Sequence, residues 1–122
     1  MYRFKTLKER GIPMGFGTDS PCSTCMDPWS SIYIAVTRGK NEENPIYSIS
    51  ESEVVTLEEA LHCYTRGSAY IMNDDDLGTL EKGNHADFIV IDEDPFEIDE
   101  IELIGIRNLG TYLGGEKIDY SF

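Results

Sequence analysis

The stretch "TLEEALHCYTRGSAYIMNDDDLGTLEKGNHADFIVID", residues 56–92, changes its hydrophobic period partway along. Its first half repeats at helical spacing, with Leu57, Ala60, Leu61 and Tyr64 on one face, and Thr56 and Glu59 stand at the separation of a capping box. Gly67 lies inside that pattern at a cost of about 1 kcal/mol relative to alanine, which predicts that the helix ends or bends there. The second half supplies a glycine turn in "EKG", then Asp87 at the start of "DFIVID", a β-rich run. A shift from helical to strand composition near Asn73 is the one candidate boundary.

Working outward, "EDPFEIDEIE" reads as an acidic connector, and "IGIRNLGTYLGGEKIDY" as two short strands around Gly114-Gly115, a dipeptide suited to a tight hairpin. At the other end, Tyr2 to Arg10 reads as the end of a helix with Phe4, Leu7 and Lys8 on one side, stopped by Gly11. "GIPMGFGTD", residues 11–19, then predicts a short buried strand, so that helix, glycine and apolar run make an αβ step of a parallel sheet. After the loop "SPCSTCMDP", the segment "DPWSSIYIAVTRG" predicts a helix: Asp27 caps, Pro28 suits the first turn, Trp29, Ile32, Tyr33 and Val36 recur, and Gly39 ends it. "KNEENPIYSISESEVV" is polar and reads as an irregular excursion over the surface.

A chain of 122 residues fits one domain and can bury a real core. It is too short for a complete eight-stranded α/β barrel, which needs about 250 residues. Asp and Glu number 23 against 10 Lys and Arg, a formal charge of −13 that repels phosphate backbones and anionic bilayers. Neither nucleic acid nor membrane is therefore expected as a partner. "MYRFKTLKER" lacks the apolar core of a secretory signal and no apolar run reaches membrane-spanning length, so a cytoplasmic location is expected. Three cysteines, an odd count, agree with a reducing compartment.

The order of these features resembles the C-terminal part of metal-dependent amidohydrolases: an apolar run ending in "GTDSP", a helix ending in "AVTR", then "TLEEALHCYTRGSA", "LGTLEKGNHADFIVIDEDP" and "TYLGGEKI". The likeness covers nearly the whole chain and is to amidohydrolase family 3, which includes N-substituted formamide deformylases and proteins labelled exoenzyme regulators. It implies a mixed α/β fold: residues 1–76 as the last strand of a TIM barrel with its following helices, and residues 77–122 as the C-terminal strands of a small β-sandwich. The first seven barrel strands and the N-terminal share of the sandwich have no counterpart here.

Read locally, Asp19 is an aspartate that begins a turn before Ser20-Pro21. The resemblance implies more, placing it where such enzymes end the last barrel strand with an aspartate that binds the metal or its water and accepts a proton, so Asp19 is both the catalytic and the metal candidate. The other ligands of such enzymes are absent: the only histidines are His62, on the capped helix, and His85, in a turn, and neither matches a ligand position. The resemblance implies a divalent metal, zinc foremost, in the complete enzyme and not necessarily in this chain. "CSTC" brings Cys22 and Cys25 together, but Cys63 and His62, adjacent on a helix, point apart, so a closed zinc site is not expected and a loop containing thiols is the plainer reading. "NDDDLG" lacks calcium-loop spacing and reads as a solvated helix end, Arg38 reads as a C-terminal helix cation or a buried partner for an acidic group, and the resemblance implies a structural role for Asp87.

Two functional readings follow. In one, the chain is the C-terminal portion of a hydrolase of non-peptide carbon–nitrogen bonds, acting on a small amide-type substrate in the complete enzyme and inactive in isolation. In the other, it is a stand-alone structural, binding or regulatory remnant. In either case, exposed barrel surfaces predict a homo-oligomer or association with an N-terminal part.

Overall fold

The computed structural model describes residues 3–19, 27–45 and 47–119. Asp27 caps the longest helix, α2 (Pro28–Thr37), accepting from the amides of Trp29 at 3.3 Å and Ser30 at 3.0 Å, with Pro28 in the first turn. The expected stop at Gly39 comes one residue earlier: Arg38 takes the left-handed cap conformation (φ 54°) and Gly39 follows it (φ 83°). The helix buries Trp29, Ile32, Tyr33 and Ala35, which pack with Val55, Ala60, Leu103 and Ile106 into the core. Leu103 sits on a 3₁₀ helix (Glu100–Gly105) that begins within the acidic connector, and its burial to 1% exposure fastens the end of that connector onto α2. Burial of a leucine side chain contributes about 1.5–3 kcal/mol.

The excursion at residues 40–55 is more ordered than its polarity predicts. A short helix, α3 (Tyr47–Ser50), runs into a 3₁₀ turn (Glu51–Glu53), and Ser50 and Glu53 are buried. Glu53 explains the order. Its carboxylate accepts the Thr6 amide at 2.9 Å and the Thr6 hydroxyl, so a charged side chain ties the excursion to α1 (Phe4–Glu9). Helix α1 buries none of its own residues and is held by this bond, by the Lys8–Glu59 ion pair and by Phe4.

The capping box forms as expected: Thr56 accepts the Glu59 amide at 3.2 Å while Glu59 accepts the Thr56 amide at 2.9 Å, opening α4 (Leu57–His62). The predicted interruption near Gly67 is a π-helical turn (Cys63–Gly67), beyond which the helix continues as α5 (Ser68–Ile71). Three strands follow: β1 (Phe88–Ile91), β2 (Asn108–Leu113) and β3 (Glu116–Ile118). They form one antiparallel sheet in the order β1-β2-β3, with Phe88 opposite Tyr112 and their rings stacked at 4.6 Å. Asp92 clamps the far end of the β1–β2 pair by accepting the Arg107 amide and Nε, each at 2.7 Å, and those bonds hold its carboxyl below the usual range. Gly114 and Gly115 turn the hairpin (φ 58° and 83°), and Asp87 accepts the Gly114 amide at 2.7 Å, which is the structural role expected of it.

The run at residues 11–19 departs from expectation. Gly11 (φ 67°) stops α1, but no strand forms at residues 12–18, because a strand requires ladder partners and none lies beside this segment among the described residues.

Two outcomes test these contacts. A β-carbon at Gly67 would stand 2.1 Å from the Met14 carbonyl oxygen, whereas one at Gly17 meets nothing within 4 Å. Gly67→Ala is therefore expected to lower stability by about 1–3 kcal/mol in urea melts despite the better helix propensity of alanine, and Gly17→Ala to leave it unchanged or raise it by up to about 1 kcal/mol. For Glu53, the Thr6 hydroxyl and amide hold the carboxyl below its usual value, with Arg3 and Arg38 adding to the effect. A depressed folded pKa stabilises fully above the unfolded value near 4.3, and that contribution disappears as pH falls through the folded one. Glu53→Gln is expected to reduce stability at pH 7 and to flatten its decline below about pH 4.3, read from urea midpoints across pH 3–7.

Candidate functional site

The segment that leads to Asp19 is seated directly on the π turn. Gly67 has no side chain, so the Met14 carbonyl lies over its Cα, and Gly15 also packs closely, since a β-carbon there would stand 3.0 Å from Ser68 Cα and 2.9 Å from Ile71 Cγ1. The next residue is held through both of its backbone groups. Phe16 N–H donates to the Cys63 carbonyl at 2.9 Å, and the Phe16 carbonyl lies 2.9 Å from the Ser68 hydroxyl, which is also 2.9 Å from the Cys63 carbonyl. A serine hydroxyl has one proton, so it is shared between the two acceptors. A π turn is wider than an α turn by one residue and occurs mostly as a single turn within an α-helix, as here.

Asp19 follows Phe16 by three residues, is exposed, and has φ 52°. Aspartate is among the few non-glycine residues that enter this left-handed region readily, because its short side chain can bond locally. The structure thus places Asp19 in a turn three residues beyond the clamped Phe16. The local reading of a turn residue describes its position, whereas the end of a strand does not, since no strand forms at residues 12–18.

Two clefts share Pro13 and Met14 in their walls. One, of about 580 Å³, is lined by Phe4, Phe16, Ile34, Arg38, Tyr64 and Ile71. The other, of about 710 Å³, is lined by Ile12, His62, Cys63, Arg66 and Tyr70 among others. Asp19 lines neither. In the first, the rings of Phe4 and Phe16 meet at 4.7 Å, Tyr64 stands edge-on to Phe16 at 5.7 Å, and the Arg38 guanidinium lies 4.3 Å over Phe4. Burial lowers the Arg38 pKa, and the charge of Glu53 partly offsets that effect, which joins the two alternatives read for Arg38: it caps a helix and faces a buried acid.

The other candidates do not converge on Asp19. His62 is exposed while its neighbour Cys63 is buried, so the two point apart as expected. Burial pushes the Cys63 thiol up, which disfavours the thiolate needed for metal binding or nucleophilic attack. His85 is exposed and its amide donates to the Asp76 carbonyl at 2.9 Å. Within "NDDDLG", Asp74 accepts the Asp76 amide at 3.0 Å and Asp75 pairs with Arg66 at 3.5 Å. Cys22 and Cys25 lie outside the described residues. Among the described residues, no group of three or more His, Cys, Asp or Glu could hold a metal ion, and no helix is long and apolar enough to cross a membrane.

Sequence reading missed Ser68 and the function of Gly67. The available signal was a glycine retained inside a strong helical pattern, which marks close backbone approach as well as helix weakness.

Comparison with known proteins agrees with this architecture. The chain is 35% identical over 118 residues to the protein named amidohydrolase YtcJ of Bacillus subtilis (strain 168), a match covering 96% of this chain and 22% of that protein. It is 28% identical over 116 residues to the N-substituted formamide deformylase of Arthrobacter pascens, covering 94% and 21%. A 5-methylthioadenosine/S-adenosylhomocysteine deaminase of Dictyoglomus thermophilum is 31% identical over 90 residues, covering 72% and 20%. Among solved structures, an uncharacterized metal-dependent hydrolase from Pyrococcus horikoshii OT3 superposes with a TM-score of 0.73 at 39% identity, over 82% of this chain and 20% of that one. The chain thus spans about a fifth of the length of the relatives it matches. Residues 1–118 match the amidohydrolase family profile, and the chain belongs to the amidohydrolase family.

Proposed function

We propose that this chain is the C-terminal portion of a metal-dependent hydrolase of non-peptide carbon–nitrogen bonds, and that Asp19 is the carboxylate it contributes to the active site. The observation that carries the reading is the placement of Asp19 at the exposed end of a segment clamped onto the π turn, in a chain of this family. Residues 1–76 serve as the last barrel strand with its helices, and residues 77–122 as sandwich strands. The unladdered run at residues 12–18, with clefts sharing Pro13 and Met14, supports a strand that pairs only when flanking strands are supplied. Exposed Ile12, Ile34 and Ile71 around those clefts support association with further protein surface.

The relatives' names point to the reaction class, since a deformylase acting on N-substituted formamides and a deaminase both break a carbon–nitrogen bond. The described residues do not fit a catalytic metal by themselves, because such a site needs about three protein ligands and Asp19 stands without a cluster. No catalytic step is therefore assigned to the chain alone. In the complete enzyme Asp19 would be one ligand, or the base beside it, for a divalent ion whose other ligands come from elsewhere. The excess of acid is compatible with small neutral amides as substrates and unfavourable for polyanions.

The isolated chain is expected to show no hydrolysis of N-substituted formamides above a buffer blank containing the same divalent metal. Mixed with the Arthrobacter pascens deformylase truncated where its match to this chain begins, it is expected to restore metal-dependent hydrolysis. Asp19→Asn should then lower the restored rate by about 100-fold or more. Metal-dependent hydrolysis by the chain alone, or a restored rate indifferent to Asp19→Asn, would contradict the assignment.

A further inference from the structure

We infer that Ser68 is a positioning residue for Asp19, its hydroxyl and the π turn together forming a clamp that fixes where the Asp19-bearing segment leaves the helices. The inference rests on the role proposed for Asp19 and adds the means by which that carboxylate is aimed.

Four contacts converge on three consecutive residues. The Met14 carbonyl occupies the space over Gly67, Gly15 lies against Ser68 Cα, and Phe16 is bonded through its N–H to the Cys63 carbonyl and through its own carbonyl to the Ser68 hydroxyl. Their partners all come from residues 63–71, the π turn and the first residues of α5. The run has no ladder partners among the described residues; Ile12 N–H ties its start to the Leu7 carbonyl of α1 at 3.0 Å, and from Met14 onward this seat fixes its position relative to the π turn and α5. Phe16 also anchors its ring against Phe4 and Tyr64. Only Gly17 and Thr18 separate Phe16 from Asp19, and Gly17 has nothing within 4 Å of its missing β-carbon. Among the described residues, the bonded backbone group nearest to Asp19 is the Phe16 carbonyl.

Ser68 is the adjustable member of the clamp. Gly67 cannot gain a side chain without a clash, and the Cys63 carbonyl is backbone, but the hydroxyl can be removed without adding volume. Its proton bridges the Phe16 and Cys63 carbonyls, whose lone pairs would otherwise face one another. Removing it leaves both acceptors without that donor, at a cost expected to fall on residues 14–19 and not on the core around α2.

The test uses the 122-residue chain itself, with Ser68→Ala and Ser68→Thr, by amide hydrogen exchange and ¹⁵N relaxation. For Ser68→Ala, exchange of the Phe16 amide is expected to accelerate at least 10-fold and the order parameters of Thr18 and Asp19 to fall, while exchange at Ile32 and Tyr33 in α2 stays unchanged. Ser68→Thr, which keeps the hydroxyl, is expected to restore both readouts. Unchanged Phe16 exchange and Asp19 order in Ser68→Ala would overturn the inference, as would losses spread equally over α2 or not rescued by threonine. None of these measurements reads hydrolysis. An intact clamp with a hydrolysis rate indifferent to Asp19→Asn would remove the role of Asp19 and leave the clamp standing.

Discussion

The placement of the Met14 carbonyl over Gly67 is the contact on which the candidate site depends. Backbone can approach backbone this closely only where no β-carbon intervenes, and the approach brings Phe16 within reach of the Cys63 carbonyl and the Ser68 hydroxyl. Without it the apolar run after Gly11 would keep its bond from Ile12 N–H to the Leu7 carbonyl but lose its seat beyond that point, because no ladder holds it among the described residues. The glycine that weakens the helix by about 1 kcal/mol thus secures the segment that presents Asp19.

Around that contact, the remaining elements act as supports. Helix α2 builds the core with Trp29, Ile32 and Tyr33, and Leu103 fastens the acidic connector to it. Helix α1 buries none of its residues, so its position depends on Phe4 at the edge of the core and on two polar contacts, Thr6 with Glu53 and Lys8 with Glu59. A buried carboxylate held by an amide and a hydroxyl makes this attachment sensitive to acid in a way that the α2 core is not.

Elements with strong local signals were legible in the sequence: the Asp27-Pro28 cap, the Thr56/Glu59 box, the β1 run and the Gly114-Gly115 hairpin all stand where local chemistry puts them. What local chemistry could not supply were long-range contacts. The order at residues 47–53 comes from Thr6, 47 positions from Glu53 in the chain, and the left-handed cap falls on Arg38 rather than on the glycine beside it. The π turn was visible only as a misplaced glycine. For the site, Asp19 was named from its resemblance and from its place after an apolar run, whereas Ser68 carries no motif of its own and becomes legible only when Phe16 is seen beside it.

On the proposed reading, this chain contributes one carboxylate to a metal site and does not contain the site. Calorimetric titration of the purified chain with zinc, in parallel with Asp19→Asn, tests it most directly. The two titrations are expected to coincide, since any binding by thiols elsewhere survives the substitution. A one-to-one site of micromolar or tighter affinity that Asp19→Asn abolishes would contradict this reading.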